Sequence, residues 1–253
     1  MKKSIITFTL LLATLFVHAQ DPFKVQMDVY TKALKYYDLQ TAVTSLYTAL
    51  AIKPERKDLK DSLVYVYFAG ERFPQANAIA EEILIEQPKR TDLREVTAIC
   101  KQSLGALKES LADYEKVYAE SKQVYHLYQI ATIQYQLKRY GEAVESLDKV
   151  IANPEAETQK VTIRMQNNQS QQVPAKAACL NVKGIIAMEL NQTDVAKQNF
   201  QAALSNSNDF ELAQGNLAAL ERKLKESAAT PSEKQSTPQK KTTSEPVSGG
   251  KKK

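Results

Sequence analysis

Two histidines, two cysteines and 29 carboxylates are the side chains with which this 253-residue chain could do chemistry. His18 falls in an apolar N-terminal leader, which leaves His126. One histidine supports neither a two-histidine metal site nor an internal proton relay. Cys100 and Cys179 both lie in helix-patterned segments, where a free cysteine behaves as a small apolar residue. Gly70, Gly105, Gly141, Gly184 and Gly215 stand alone, so no glycine-rich loop is available to cradle a phosphate. The carboxylates are spread along helix faces, and no two stand out as an acid and a base. Without a constellation of nucleophile, base and oxyanion donor, the expectation is a protein that is not an enzyme, with no cofactor and no metal. Its work must then be binding.

The charge narrows the partner. Lys2 and Lys3 precede an apolar run from Ile5 to Val17, which ends at Val17-His18-Ala19. That is the composition of a bacterial secretory signal peptide over 1–19, leaving Gln20 as the first mature residue and placing the protein in the periplasm or outside the cell. The 13-residue run is too short for a comfortable transmembrane helix, so no integral membrane insertion is expected after cleavage. Residues 227–253 are rich in Ser, Thr, Pro, Gln and Lys and lack aromatics, the composition of a disordered, solvated tail. Six lysines and three glutamates fall in 226–253, so the 34 basic and 29 acidic residues of the chain reduce to 26 of each over 20–225. The body is neutral, and the basic stripe expected of a nucleic-acid binder has no support.

The body repeats. Ala42, Ala76, Ser110, Ala143 and Ala196 are small residues spaced 34, 34, 33 and 53 apart. Leu46, Ala80, Tyr114, Leu147 and Phe200 follow four residues later. Pro54, Pro88 and Pro154 close three of the copies, and proline ends a helix because it lacks an N–H and clashes with the preceding turn. Apolar residues at i, i+3, i+4 and i+7, such as Val43, Leu46, Tyr47 and Leu50, mark amphipathic helices. A small residue lets two antiparallel helices approach closely, and a large one fills the next gap.

This pattern resembles the tetratricopeptide repeat family, whose period is 34 residues, over about residues 23–207. The family's glycine in the first helix of each pair is kept as Gly184, while Tyr30, Val64, Ala98 and Ala131 hold that slot in the other copies. The third copy lacks the terminal proline. The resemblance implies an all-α fold, a right-handed α-solenoid of five helix pairs, to which the residue pattern adds a C-terminal capping helix and one inserted β-hairpin. The solenoid spans 20–226, with repeats near 23–56, 57–90, 91–123, 124–157 and 177–208, the hairpin at 158–175 and the capping helix at 209–225. With the two cysteines two repeats apart on this plan, no disulfide is expected.

The hairpin rests on alternation, since Val161, Ile163 and Met165 interleave with Thr162 and Arg164 before the turn-forming Asn167-Asn168-Gln169-Ser170. It reads either as a tolerated surface loop or as a docking element. In this family the first helix of each pair lines a concave groove that holds a partner. Carried onto this chain, that groove takes Met27, Thr31 and Leu34 from repeat one, and Asp61, Tyr65 and Phe68 from repeat two. Repeat three gives Glu95, Ile99 and Gln102, repeat four Tyr125, Tyr128, Thr132 and Tyr135, and repeat five Asn181, Ile185 and Met188. Tyrosines anchor interfaces or belong to the solenoid core, and both readings stand. Asp61 and Glu95 would repel the C-terminal carboxylate that some members grip. The expected function is a periplasmic scaffold that binds an unidentified protein partner in the groove. The alternatives are a self-associating structural module that forms a homo-oligomer, or a cell-wall-associated assembly factor.

Overall fold

The computed structural model describes residues 21–165 and 169–229. The expected signal peptide and residues 230–253 of the expected tail lie outside the described residues. Ten of the α-helices come in five pairs: α1 (Pro22–Lys35) with α2 (Leu39–Ile52), α3 (Asp58–Ala69) with α4 (Phe73–Glu86), α5 (Thr91–Ser103) with α6 (Leu107–Ser121), α7 (Val124–Gln136) with α8 (Tyr140–Ala152), and α9 (Ala175–Glu189) with α10 (Thr193–Asn206). The last helix, α11 (Glu211–Ala229), covers the end of the array by packing on α9 and α10. Between α8 and α9, a 3-10 turn at Pro154–Glu157 leads into a hairpin of β1 (Lys160–Arg164) and β2 (Ser170–Pro174).

Each pair turns over in the same way. Residues Tyr37, Glu71, Gly105, Lys138 and Asn191 all have φ between 54° and 79°, and their spacing repeats that of the small residues. The next amide reaches back five residues in every copy, as in Asp38 N–H to Ala33 C=O and Arg139 N–H to Gln134 C=O, both 2.9 Å. This is the Schellman closure, in which a left-handed residue lets the chain satisfy the last carbonyls of the helix it leaves. Glycine is the residue best suited to that conformation, yet it serves only at Gly105, so Tyr37, Glu71 and Lys138 hold it at a steric cost. The third copy has no proline to stop its second helix, and Lys122 in the left-handed region (φ 54°) ends α6 instead.

Packing follows the repeat. The five small residues at 42, 76, 110, 143 and 196 are fully buried, and so are their large partners. Ser110, the one polar residue in the small slot, donates its hydroxyl to the Ala98 carbonyl at 2.7 Å. Partners sixteen residues apart trade size in four of the five pairs: Val64 with Ala80, Ala98 with Tyr114, Ala131 with Leu147, and Gly184 with Phe200, while the first pair sets Tyr30 against Leu46. Glycine appears where the opposing ring is phenylalanine, because a Cβ on Gly184 would lie 2.4 Å from the Phe200 ring. Cys100 and Cys179 are both buried free thiols. Burial pushes the Cys100 thiol up to about 11 and raises that of Cys179 further.

Candidate functional site: a concave cavity walled by the hairpin

The hairpin folds onto the solenoid. Val161 and Val173 face each other in register and are buried in the core of the C-terminal half. Gln171 pins the other strand: its side-chain amide donates to the Asp209 carbonyl at 2.6 Å, and its oxygen accepts the Glu211 N–H at 3.1 Å. The second bond satisfies one of the orphan donors at the start of α11. From this anchorage β1 reaches back over the concave side, where Arg164 comes within 3.8 Å of Glu71 in the α3–α4 turn. An insertion between repeats four and five thereby meets repeat two.

A cavity of about 730 Å³ lies between β1 and the first helices of repeats two to four. Phe68, Ala69, Glu71 and Phe73 line one end, Ile99, Gln102 and Ser103 the floor, and Tyr128, Gln129, Thr132 and Gln136 the other side. Thr162, Ile163 and Arg164 form the wall contributed by the hairpin. Phe68 and Phe73 meet edge to face, with ring centroids 6.0 Å apart. Around the cavity the charged side chains are Glu71 and Arg164, and they pair with each other. The remaining lining is apolar or neutral polar, which suits an uncharged segment held by packing and hydrogen bonds.

Five of the sixteen residues assigned to the groove line this cavity: Phe68, Ile99, Gln102, Tyr128 and Thr132. Tyr128 is otherwise core, and burial raises its hydroxyl. The others have different surroundings. Asn181 is buried, with its oxygen accepting from Asn216 on α11 at 2.9 Å, so the capping helix removes it from any groove. Ile185 and Met188 pack against the cluster formed by Ala187, Ala196, Phe200 and Leu220. Tyr135 donates to Glu189 at 2.7 Å, and Tyr140 donates to the same carboxylate, tying repeat four to repeat five. These hydroxyls, Tyr140 first, hold Glu189 below the usual carboxylate range. Asp61 pairs with Arg90 at 3.1 Å, so its charge is already answered. Tyr65 donates to Asp92 at 3.1 Å. Met27 packs into the first cluster, and Thr31 and Leu34 are exposed on α1.

Glu95 and Tyr125 belong to a cluster that composition alone hid. His126 is buried, with Nδ1 2.7 Å from Ser121 Oγ and Nε2 3.3 Å from Glu95 Oε1. Tyr125 packs edge-on against its ring at 5.5 Å. A serine, a histidine and a carboxylate are therefore in line, correcting the expectation that one histidine can join no relay. The setting is that of a clasp between repeats three and four. Ser121 sits in the last turn of α6, the negative end of a helix, where an oxyanion would be repelled. Its Oγ also accepts the Gln123 N–H at 3.3 Å. A second polar knot lies on α5 and α6, where the largely buried Asp113 accepts from Lys101 (2.6 Å) and Thr97 (3.1 Å). Burial alone would lower the Lys101 ammonium; hydrogen bonds to Asp113 and Glu81 outweigh it and leave it raised. Among the described residues, no group of three or more His, Cys, Asp or Glu is placed to hold a metal, and no helix is long and apolar enough to cross a membrane.

Comparison with known proteins agrees with this geometry. The family model described as tetratricopeptide repeat matches residues 127–155, which hold most of α7 and all of α8. A tetratricopeptide repeat protein from Parabacteroides merdae superposes with a TM-score of 0.63 at 17% identity, covering 82% of this chain and 75% of that one. YrrB, described as a TPR protein with an unusual peptide-binding site, gives 0.58 at 14% identity over 75% of this chain and 89% of its own. MamA from Desulfovibrio magneticus RS-1 gives 0.58 at 11% identity over 76% and 98%. No curated protein sequence matches the chain. Residues 127–155 thus match the tetratricopeptide repeat, and the described residues share the α-solenoid fold of tetratricopeptide repeat proteins.

Proposed function

We propose that this chain is a non-enzymatic scaffold of the bacterial periplasm that holds a segment of a partner protein in its concave cavity. The observation that carries the reading is the cavity itself, a recess of about 730 Å³ framed by three first helices and closed on one side by the hairpin, whose two charged lining residues pair with each other. Ligand sites are commonly recesses of about this size that combine apolar walls with a few directed polar groups. The peptide-binding site named for the similarly folded YrrB supports the same reading. The export half rests on the Lys2-Lys3 leader and its apolar run.

Both halves are testable. A photo-crosslinking residue placed at Gln102 or Gln129 should join one partner in native cells, and the same residue at the exposed Ala78 or Lys116 should not. Equal crosslinking from all four positions would remove the cavity as the site. Mass spectrometry of the protein recovered from a periplasmic extract should give a chain that begins at Gln20. An uncleaved chain confined to the cytoplasm would remove the export.

A further inference from the structure

The hairpin does more than wall the cavity, because among the described residues β1 pairs with β2 along one edge and with no strand along the other. The register sets Val161 opposite Val173 and Ile163 opposite Gln171. Flanking bonds run from Ala175 N–H to Gln159 C=O at 2.8 Å and from Met165 N–H to Gln169 C=O at 2.9 Å. In an antiparallel pair, hydrogen-bonded and non-bonded positions alternate. The odd residues Val161 and Ile163 therefore exchange bonds with β2, and the even residues Thr162 and Arg164 turn their N–H and C=O to the opposite edge. At the base of the strand the Lys160 carbonyl accepts from Gln159 Nε2 at 3.0 Å. The open edge borders the cavity, since Thr162, Ile163 and Arg164 line it and β2 lies on the side of α11. An edge of this kind is a template for another strand.

We propose that the cavity receives an extended, uncharged segment of a partner polypeptide, apolar at every second residue, which adds to β1 as a third strand. The proposal rests on the groove reading above and specifies its occupant. A third strand lies about 4.8 Å from β1, and β1 offers it about five residues, roughly 17 Å. Side chains of a strand point alternately to two faces. Those on the Ile163 side meet Ile99, Phe68 and Tyr128, and those on the Thr162 side meet solvent and the Arg164–Glu71 pair. Glu71 and Arg164 satisfy each other, so no charge is left over to neutralise an ionised side chain. Main-chain bonds would supply affinity and the apolar positions specificity, the division of labour of strand addition.

The test uses the full chain and a displayed library of random octapeptides, with the strongest selected peptide synthesised as the probe. Binders should be uncharged and alternately apolar. On binding, the Thr162 and Arg164 amides should slow in hydrogen exchange measured by NMR, while those of Val161 and Ile163 stay protected throughout. Methylating the peptide nitrogens one at a time should weaken binding with a period of two residues, by about tenfold or more where a hydrogen bond is lost. Thr162→Pro, which removes an N–H that β2 does not use, should weaken binding to a similar degree. The methylation series needs no altered protein, so it stands even if that variant misfolds.

Peptides that bind and shift Ile99 while leaving the Thr162 and Arg164 amides unchanged would overturn strand addition and leave the groove reading intact. A screen giving no peptide whose binding Ile99→Glu abolishes would overturn both. Protection of the two amides in the free chain that disappears on removing 230–253, or that grows with protein concentration, would assign the edge to the chain itself or to a second copy, and would overturn the proposal.

Discussion

Replacing Gly184 with alanine should destabilise the fifth repeat even though alanine is the better helix former. The added Cβ would lie 2.4 Å from Phe200 Cε1, 2.6 Å from Cδ1 and 2.9 Å from Cζ. Real Cβ contacts are not that short, so the ring must move. Phe200 is fully buried and packs with Ala187, Ala196 and Leu220, so it has nowhere to go. Overpacking of this kind costs about 1–3 kcal/mol, and helix propensity returns about 0.8–1.0 kcal/mol. The net expectation is a loss of about 1 kcal/mol. Phe200→Leu alone leaves a void and also destabilises. In the double variant the new methyl fills part of that void, so the two losses should fall short of their sum by about 1 kcal/mol or more. Urea unfolding followed by circular dichroism gives the four stabilities, and hydrogen exchange in α9 and α10 checks them locally, because stacked repeats need not unfold as one unit. A Gly184→Ala protein as stable as its parent, or strictly additive losses, would refute the packing argument.

Other expectations follow from the same contacts. Lys138→Gly should stabilise the fold by about 1 kcal/mol, because φ is 58° there and glycine carries no steric penalty; a lower midpoint in urea would contradict it. Asp113→Ala should cost about 1–3 kcal/mol, since it removes a largely buried acceptor shared by Lys101 and Thr97, which keep only Glu81 and the Arg94 carbonyl; an unchanged midpoint in chemical denaturation would contradict it. Glu189 is held low by two tyrosine hydroxyls, so its contribution is present above the ordinary glutamate range and fades as pH falls through its lowered value. Its carboxyl carbon should titrate below that of an exposed glutamate in NMR, and Tyr140→Phe should move it back up. Cys100 and Cys179 should resist a thiol reagent until the chain unfolds, because both are fully buried and their thiols are raised; rapid labelling of the native protein would contradict the burial.

The repeat was legible because a steric demand fixes residue type. Where two helices touch, only a small side chain fits, so Ala42, Ala76, Ser110, Ala143 and Ala196 mark the period in the sequence itself. The turns were not legible in the same way. Three of the five left-handed positions carry Tyr37, Glu71 and Lys138, which give no signal of positive φ. The hairpin could be read from the alternation around Val161 and Ile163, but alternation does not say which element a strand packs on. Its reach back to Glu71 therefore had to come from the structure, and with it the fact that the recess is framed by repeats two to four. Phe73, Gln129, Gln136 and Thr162 line that recess without any mark in the repeat pattern, and Met27 and Met188 pack in other clusters. Helix phasing puts Asn181 on the groove face of its helix, and it does not tell that Asn216 of α11 bonds it there. The clasp of Glu95, Ser121 and His126 joins two repeats through residues 26 and 31 positions after Glu95, a proximity that only helix packing creates.

The most direct test of the scaffold is a methyl NMR titration with the partner captured from the cavity positions. Ile99 and Ile163 sit on facing walls of the recess, one on a helix and one on the hairpin, while Ile85 lies outside it and is 82% exposed. The account predicts that the Ile99 and Ile163 methyls shift together at one affinity and that Ile85 stays still. A partner that moves Ile85 and leaves Ile99 and Ile163 unchanged would contradict it.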